Sequence, residues 1–456
     1  MLQDRSRDYA RILGLTWPIL IGQLALIANG VIDTVMTSRF SATDLAALAL
    51  GGSIYISVFV GLNGVLQALG PTVGQLFGAR RFDAIGAEIK QGVWLAIFLS
   101  CIGGVLLAFP QLLLSFAHPS RELEVKAIAY LRTLGLALPA TLGFAIYSAL
   151  NNAVSRPKMI MLIYVVALLF KLPLNALFIF GGWGIPAFGG PGCAIATALI
   201  SWGTLVAGWT ILRTVPFYRT FRLFGTGFVM PRWAEQWALL RLGIPMGLSY
   251  LIEVSAFAFM AIFIARLGDT VVAGHQITAN FGTVLYMLPM AIAKATGTLV
   301  AQAVGAGDLR GARRIGFSGV VASGLLSSIL GTAIWIMRDT IVRAYTPNEA
   351  IIAATVPLFF YIGFYQVFDA VQVTIGFILR AYKVSAIPTV IYAIALWGVG
   401  LAGGYVLGLD PLGWMPAATH GASGFWLSYS LSLALVAGGL LWYLGKVQRD
   451  AAKRAA

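Results

Sequence analysis

Twelve long apolar stretches divide this chain, near 12–37, 45–74, 92–115, 127–150, 159–180, 191–212, 243–265, 271–301, 315–337, 351–379, 385–408 and 419–445. Each is long enough to cross the roughly 30 Å hydrocarbon layer of a bilayer as a helix. In lipid the backbone must satisfy its own hydrogen bonds, which a helix does within a single segment. Composition points the same way. Of 456 residues, 59% are hydrophobic and only 11% charged, and the mean hydropathy is +0.86. A soluble domain carries roughly 25% charged residues. The expected fold class is therefore an all-α integral membrane protein with twelve transmembrane helices and the lipid bilayer as its main environment.

A formal charge of +14 invites a nucleic-acid reading, but the placement of the 31 basic residues removes it. With the N-terminus on the cytoplasmic side, 22 Lys and Arg fall on that side, six on the other (Arg39, Arg121, Lys126, Arg266, Arg338 and Arg343) and three within spans. This asymmetry is the positive-inside pattern, and it places both termini in the cytoplasm. No nucleic-acid partner is expected. The first apolar run is long enough to span, so it reads as a membrane helix rather than a cleavable signal peptide. Cys101 and Cys193 fall within spans, and the three His residues do not cluster as metal ligands.

The chain also repeats itself. An offset of 227 residues aligns its halves without a gap: Pro18 falls on Pro245, Leu24 on Leu251, Arg39 on Arg266, Thr43 on Thr270 and Ala46 on Ala273. Between 68 and 79, six of twelve residues match: Ala68/Ala295, Gly70/Gly297, Val73/Val300, Gln75/Gln302, Gly78/Gly305 and Ala79/Ala306. Apolar composition alone does not put Pro, Arg, Gln and Gly into one register. Six spans per repeat is an even number, so both halves enter the membrane from the same side, related by a pseudo-two-fold axis along the membrane normal. The expected organisation is an N-terminal lobe at 1–212, a cytoplasmic linker at 213–241 lying at the headgroup surface, and a C-terminal lobe at 242–456. The glycine loops at Gly78 and Gly305 lack the Lys-Ser/Thr of a phosphate loop, so an ion gradient is the expected driving force.

Three acids stand where lipid penalises them. Asp33, Glu253 and Asp369 fall inside spans, whereas the other fourteen of the 17 acids read as loop or tail residues. A carboxylate in mid-membrane costs about 2.5–3.5 kcal/mol on insertion scales, so such residues usually hold a proton, a cation or a basic partner. Helical spacing sets Asn29 and Thr37 beside Asp33, Ser249 and Tyr250 beside Glu253, and Tyr365, Gln366 and Gln372 beside Asp369. Carboxylates with neutral oxygen donors suit sodium or a mobile proton. The alternative is that the acids neutralise the intramembrane bases Arg132, Lys171 and Lys294. In the repeat register the three acids oppose Met260, Leu26 and Leu142, so the scaffold is symmetric and the ion chemistry is not.

These residues carry a family likeness over nearly the whole chain. Gly30-Val-Ile-Asp33-Thr-Val-Met36, Gln75 to Ala79 and Pro173-Leu-Asn175 carry it in the first half. Glu253-Val254, Ala273-Gly-His275-Gln276-Ile277, Tyr365 to Val373 and Leu379 to Lys383 carry it in the second. The chain resembles the multidrug and toxic compound extrusion (MATE) transporters, in particular their NorM-type branch. The resemblance implies two V-shaped lobes alternating access to a central cavity. It implies an antiporter, not an enzyme, that exports small cationic amphiphilic drugs against sodium or protons across the bacterial inner membrane as a monomer. No cofactor is implied beyond the coupling ion. It assigns Asp33 to the N-terminal lobe, Glu253 and Asp369 to a C-terminal cation site, and Asn175 and Thr197 to the N-terminal cavity. Tyr365, Gln366 and Lys294 are the further polar cavity candidates, and sodium at Glu253 and Asp369 is favoured over protons. Asn175 stands where the DinF-type branch has a second Asp. Lys294 lies about one and a half turns before Leu299, near which the NorM-type branch often has Arg; we expect it to compete with the coupling cation. The nearest alternative is a lipid-linked precursor flippase of the same superfamily, which should show a strongly basic cavity.

Overall fold

The computed structural model describes residues 2–115, 120–224, 229–411, 413–416 and 420–455. Among the described residues, twelve helices are long and apolar enough to cross a membrane. They are α1 (Asp4–Phe40), α2 (Ala42–Gly78), α3 (Phe82–Ala108), α4 (Arg121–Ala153), α5 (Pro157–Phe180) and α6 (Gly190–Thr214), then α7 (Trp233–Leu267), α8 (Asp269–Gly305), α9 (Leu309–Tyr345), α10 (Glu349–Ala381), α11 (Ala386–Leu409) and α12 (Ala422–Arg454). Each expected stretch finds its helix; position 419, at the edge of the last stretch, lies outside the described residues. Most helices outrun the apolar stretches because polar first turns extend them, whereas α3 ends at Ala108, short of the expected 115 and just before Pro110. Ser41, Ser120, Asp308 and Asn348 accept hydrogen bonds from backbone N–H groups at the starts of α2, α4, α9 and α10. Those caps satisfy donors that a helix start otherwise leaves unpaired. Large apolar side chains such as Phe98, Leu136, Leu169, Ile329 and Ile394 stand exposed, as they must where the solvent is lipid.

Two compact units form, and their borders differ from the expected lobes. One comprises Ile21–Gly247; the other comprises Met1–Leu20 together with Leu248–Ala456. Each border lies two residues beyond a repeat proline, Pro18 in α1 and Pro245 in α7. Proline in a helix interior removes one backbone hydrogen bond and weakens the rod there. Side-chain packing decides which unit each half-helix joins. Ile12 and Ile19 of α1 enter a core with Ile252, Ala291, Ile375, Leu379 and Leu433. Leu239, Leu242 and Met246 of α7 enter the other core, with Val65, Leu69, Leu95, Leu131 and Leu142.

The linker is more than a surface strand. Residues 225–228 lie outside the described residues, but both flanks are fastened to the unit that holds α3 and α4. Pro216–Phe221 form a short 3₁₀ helix. Its Tyr218 and Phe221 are each 1% exposed within that unit's core, and burying such a side chain contributes about 1.5–3 kcal/mol. The Tyr218 hydroxyl donates to Asn151 Oδ1 at 2.6 Å; burial raises the Tyr218 pKa, which keeps the phenol a donor. The Arg156 guanidinium lies 3.7 Å over the Phe217 ring. Gly86 on α3 makes the close approach possible: a Cβ there would sit 2.1 Å from the Phe221 carbonyl oxygen. Beyond the gap, Gln91 Nε2 donates to the Met230 carbonyl at 3.2 Å and Trp94 Nε1 to that of Val229 at 2.8 Å. The Arg232 N–H returns a bond to Gln91 Oε1 at 3.0 Å.

Candidate functional site

In the unit Ile21–Gly247, three helices bring four polar residues together. Asp33 comes from α1, Lys171 and Asn175 from successive turns of α5, and Thr197 from α6. Lys171 Nζ lies 2.8 Å from Asp33 Oδ1, with side-chain exposures of 2% and 15%. The Asn175 amide donates to the same oxygen at 2.7 Å, and Lys171 Nζ donates to Thr197 Oγ1 at 2.5 Å. Thr197 in turn donates to the Cys193 carbonyl at 3.0 Å. Pro173 lies between Lys171 and Asn175 on α5, and immediately after Asn175 the helix widens into a π segment, Ala176–Phe180. Such widened turns recur at functional sites.

The flank expected for Asp33 is therefore replaced. Asn29 donates to the Ala25 carbonyl at 3.0 Å within α1, and the Thr37 hydroxyl is buried without a partner. The neutralising reading holds for Asp33, and Lys171 is its base. Arg132 has a different role: half out of the protein, it donates from Nε to the Ala108 carbonyl at 3.1 Å, at the end of α3.

The second unit contains a different arrangement. Asp369 of α10 is 1% exposed, and its Oδ1 accepts from Gln372 Nε2 at 2.8 Å. The Tyr392 hydroxyl of α11 donates to Gln372 Oε1, and at Ala393 the helix passes into a π segment, Ala393–Ala402. Asp369 Oδ2 is buried with no hydrogen-bond partner. Glu253, half-buried on α7, lies within electrostatic range of both Asp369 and Arg380. The two carboxylates thus repel one another, and Arg380 supplies a fixed positive charge beside Glu253.

In the sequence Arg380 counts only among the basic residues of the expected cytoplasmic side and within the family-like run Leu379 to Lys383. In the structure it is 8% exposed. Its guanidinium donates to the Tyr250 hydroxyl at 2.7 Å and lies 4.7 Å from the ring centres of Tyr250 and Phe377. Tyr250, expected beside Glu253, is thereby engaged by Arg380, and Ser249 pairs with Thr389 of α11 at 2.8 Å. Lys294 on α8 is half-buried, and its electrostatic neighbour is Arg380, a like charge.

Tyr365 stacks on Tyr429 at 6.0 Å and meets Trp426 edge-on at 5.6 Å. Gln366 is fully buried with both amide atoms unpartnered, so neither residue reaches Asp369 through a hydrogen bond. Two acids that read as loop residues, Asp8 and Asp44, are each 2% exposed. Asp8 holds Arg314 at 2.7 Å, and Asp44 holds Lys126 at 2.8 Å while accepting from the Gly190 N–H at 2.8 Å. For Asp44 the signal that could have found it is its place in a first helical turn, where a carboxylate meets both the helix dipole and basic neighbours.

Among the described residues, twelve helices long and apolar enough to span a membrane, in two compact units and with acids inside the spans, fit a membrane transporter. The comparisons with known proteins agree. The MatE family profile matches residues 18–177 and again 245–406, so its two copies begin on the repeat prolines. The chain belongs to the MATE family and is NorM-like within it. A probable multidrug resistance protein NorM of Aromatoleum aromaticum is 40% identical over 442 residues, covering 96% of this chain and 94% of that protein. The multidrug resistance protein NorM of Vibrio vulnificus is 36% identical over 437 residues, covering 95% and 94%. In fold, the chain is similar to the eukaryotic MATE transporter AtDTX14, with a TM-score of 0.86 at 18% identity over 99% of this chain and 100% of that one. It is also similar to an outward-facing multidrug resistance MATE transporter of the MOP superfamily, with a TM-score of 0.87 at 16% identity over 97% and 96%.

Proposed function

We propose that this protein is a cation-coupled antiporter that exports cationic amphiphilic drugs by alternating access. Its proposed location is the bacterial inner membrane, with both termini in the cytoplasm. The observation that carries the reading is the unpartnered buried oxygen of Asp369, within electrostatic range of a second carboxylate on another helix. A buried carboxylate oxygen left without a partner is costly, about 1–3 kcal/mol or more for a charged group. A site that binds and releases an ion has reason to keep it so.

Glu253 and Asp369 bind the coupling cation, sodium, with protons as the alternative. Cation binding from outside relieves the repulsion between the two acids and favours one conformation. A gradient shifts the population by the difference in cation affinity between the states. Asp33, held by Lys171 and Asn175, with Lys171 also bound to Thr197, serves the first unit as a polar anchor that an incoming cation competes for. The flippase reading loses support in the same geometry. A basic cavity for pyrophosphate would draw on Arg132, Lys171 and Lys294, yet Lys171 is committed to Asp33 and Arg132 lies at the protein surface.

The test is efflux of a fluorescent organic cation from proteoliposomes under a sodium gradient alone and under a proton gradient alone. Uphill efflux should follow the sodium gradient. Uphill efflux with neither gradient would overturn the class, and efflux following protons alone would transfer the same site to proton coupling. In the same assay, Lys294→Ala removes a positive charge near Arg380. The half-saturating sodium concentration should then fall by roughly tenfold, equivalent to about 1.4 kcal/mol. Unchanged sodium dependence and unchanged rate would remove Lys294 from the mechanism.

A further inference from the structure

Outside these charged clusters, the unit Ile21–Gly247 contains a cavity of about 560 Å³ that the transport reading does not use. That volume falls within the roughly 300–1,000 Å³ of ligand-sized pockets. It lies among α3, α4, α6 and the docked linker, and its walls include Val93, Ile97, Pro139, Leu205, Trp202 and Trp209. Several of these face outward: Val93, Ile97, Trp202 and Trp209 are 44%, 48%, 46% and 47% exposed, so the cavity opens where lipid would lie. Along α3 it runs from Ile89 to Cys101, which at 1.5 Å per residue is about 18 Å of depth. That is the shape of a slot for an extended hydrocarbon chain.

Charge is confined to one end of the slot. Lys90 lines it near the start of α3, and no acid is among its lining residues. The Arg213 guanidinium lies 4.8 Å from the Trp209 ring centre and 5.9 Å from that of Phe224, both of which line the cavity. This end joins the loops whose basic residues mark the cytoplasmic side. Phe224 and Leu223 close it from the linker, so the fastening of the linker on α3 also builds the slot. An apolar slot with two cations at its headgroup end complements an anion that carries an acyl chain, and disfavours the organic cations proposed as cargo.

We propose that this slot seats one anionic glycerophospholipid of the cytoplasmic leaflet. An acyl chain lies along Val93 and Ile97, and the phosphate is held by Lys90 and Arg213. The lipid adds apolar contact between α3, α6 and the linker on the lipid-facing side, which ties the linker's position to the composition of the leaflet.

Native mass spectrometry tests this on the full chain after equilibration with equal amounts of phosphatidylglycerol and phosphatidylcholine. Wild type should retain one phosphatidylglycerol under activation that strips phosphatidylcholine. The double variant Lys90→Gln with Arg213→Gln should lose that adduct by roughly thirtyfold, since each basic group near a headgroup contributes a factor of about five. Val93→Trp, which fills the slot and leaves both cations, should also lose it; this second variant decides the matter if the first fails to fold. Equal retention of the two lipids by wild type, an unchanged adduct in both variants, or displacement of the lipid by a cationic dye at equal concentration would each overturn the proposal. Gradient-driven efflux is measured on the same preparations, so loss of the lipid adduct is read separately from loss of transport.

Discussion

Asp369→Asn should reduce sodium-driven uphill efflux by roughly tenfold or more, a loss of at least about 1.4 kcal/mol in cation affinity, while the protein folds and inserts as before. The substitution is nearly isosteric. Its carbonyl oxygen can still accept from Gln372, which now donates to Asp369 Oδ1 at 2.8 Å, so the bond from Tyr392 to Gln372 is retained. The negative charge is lost, together with the unpartnered Oδ2 that faces no donor in the structure. Because the buried acid carries an electrostatic cost in the folded state, neutralising it should leave thermal stability unchanged or raised. Efflux of a fluorescent cation and a melting curve, taken on the same preparation, separate the two effects. Near-normal uphill efflux in this variant would remove Asp369 from the coupling site. A collapse of stability alongside the lost efflux would recast it as a structural acid.

The second large effect is expected at Lys171. Its ammonium is 2% exposed and lies 2.8 Å from Asp33. Removing one partner of a buried pair is strongly destabilising, by about 3–5 kcal/mol, whereas removing both together is often close to neutral. Lys171→Met should therefore lower the melting temperature by roughly 6–20 °C in a unit of this size. Adding Asp33→Asn should restore most of that loss, because the amide needs no counter-charge. Transport should not return with stability if Asp33 serves the first unit as proposed. A Lys171→Met protein as stable as wild type would show that the pair does not hold α1 to α5. A double variant with normal efflux would make the cluster purely structural.

The first-unit cluster shows how far residue patterns reach. Asp33 reads as an acid inside an apolar span and Lys171 as an intramembrane base that an acid could neutralise, whereas Asn175 and Thr197 enter only through the family resemblance. Their meeting was not legible. Asp33 and Asn175 are 142 positions apart, and helical spacing only describes neighbours on one helix, which is why Asn29 and Thr37 were set beside Asp33 instead. Arg380 failed in the same way: a basic residue at a helix end reads as a cytoplasmic-side charge until the helix packed beside it supplies Tyr250. The linker failed for a different reason. Its Phe and Tyr residues suit a headgroup surface as well as a protein core, and only Gly86 across from Phe221 decides between the two.

What the sequence determined by itself is the membrane class, the number of spans, their repeat and the three acids that break it. Each follows from local quantities: apolar length against bilayer thickness, an ungapped register, and charge against its insertion cost. What tertiary structure decided is which helix halves share a core, which acid has a base and which keeps an oxygen open. Those outcomes depend on distances between residues more than a hundred positions apart. No periodicity along the chain encodes them, because packing chooses among many helix faces of equal apolarity.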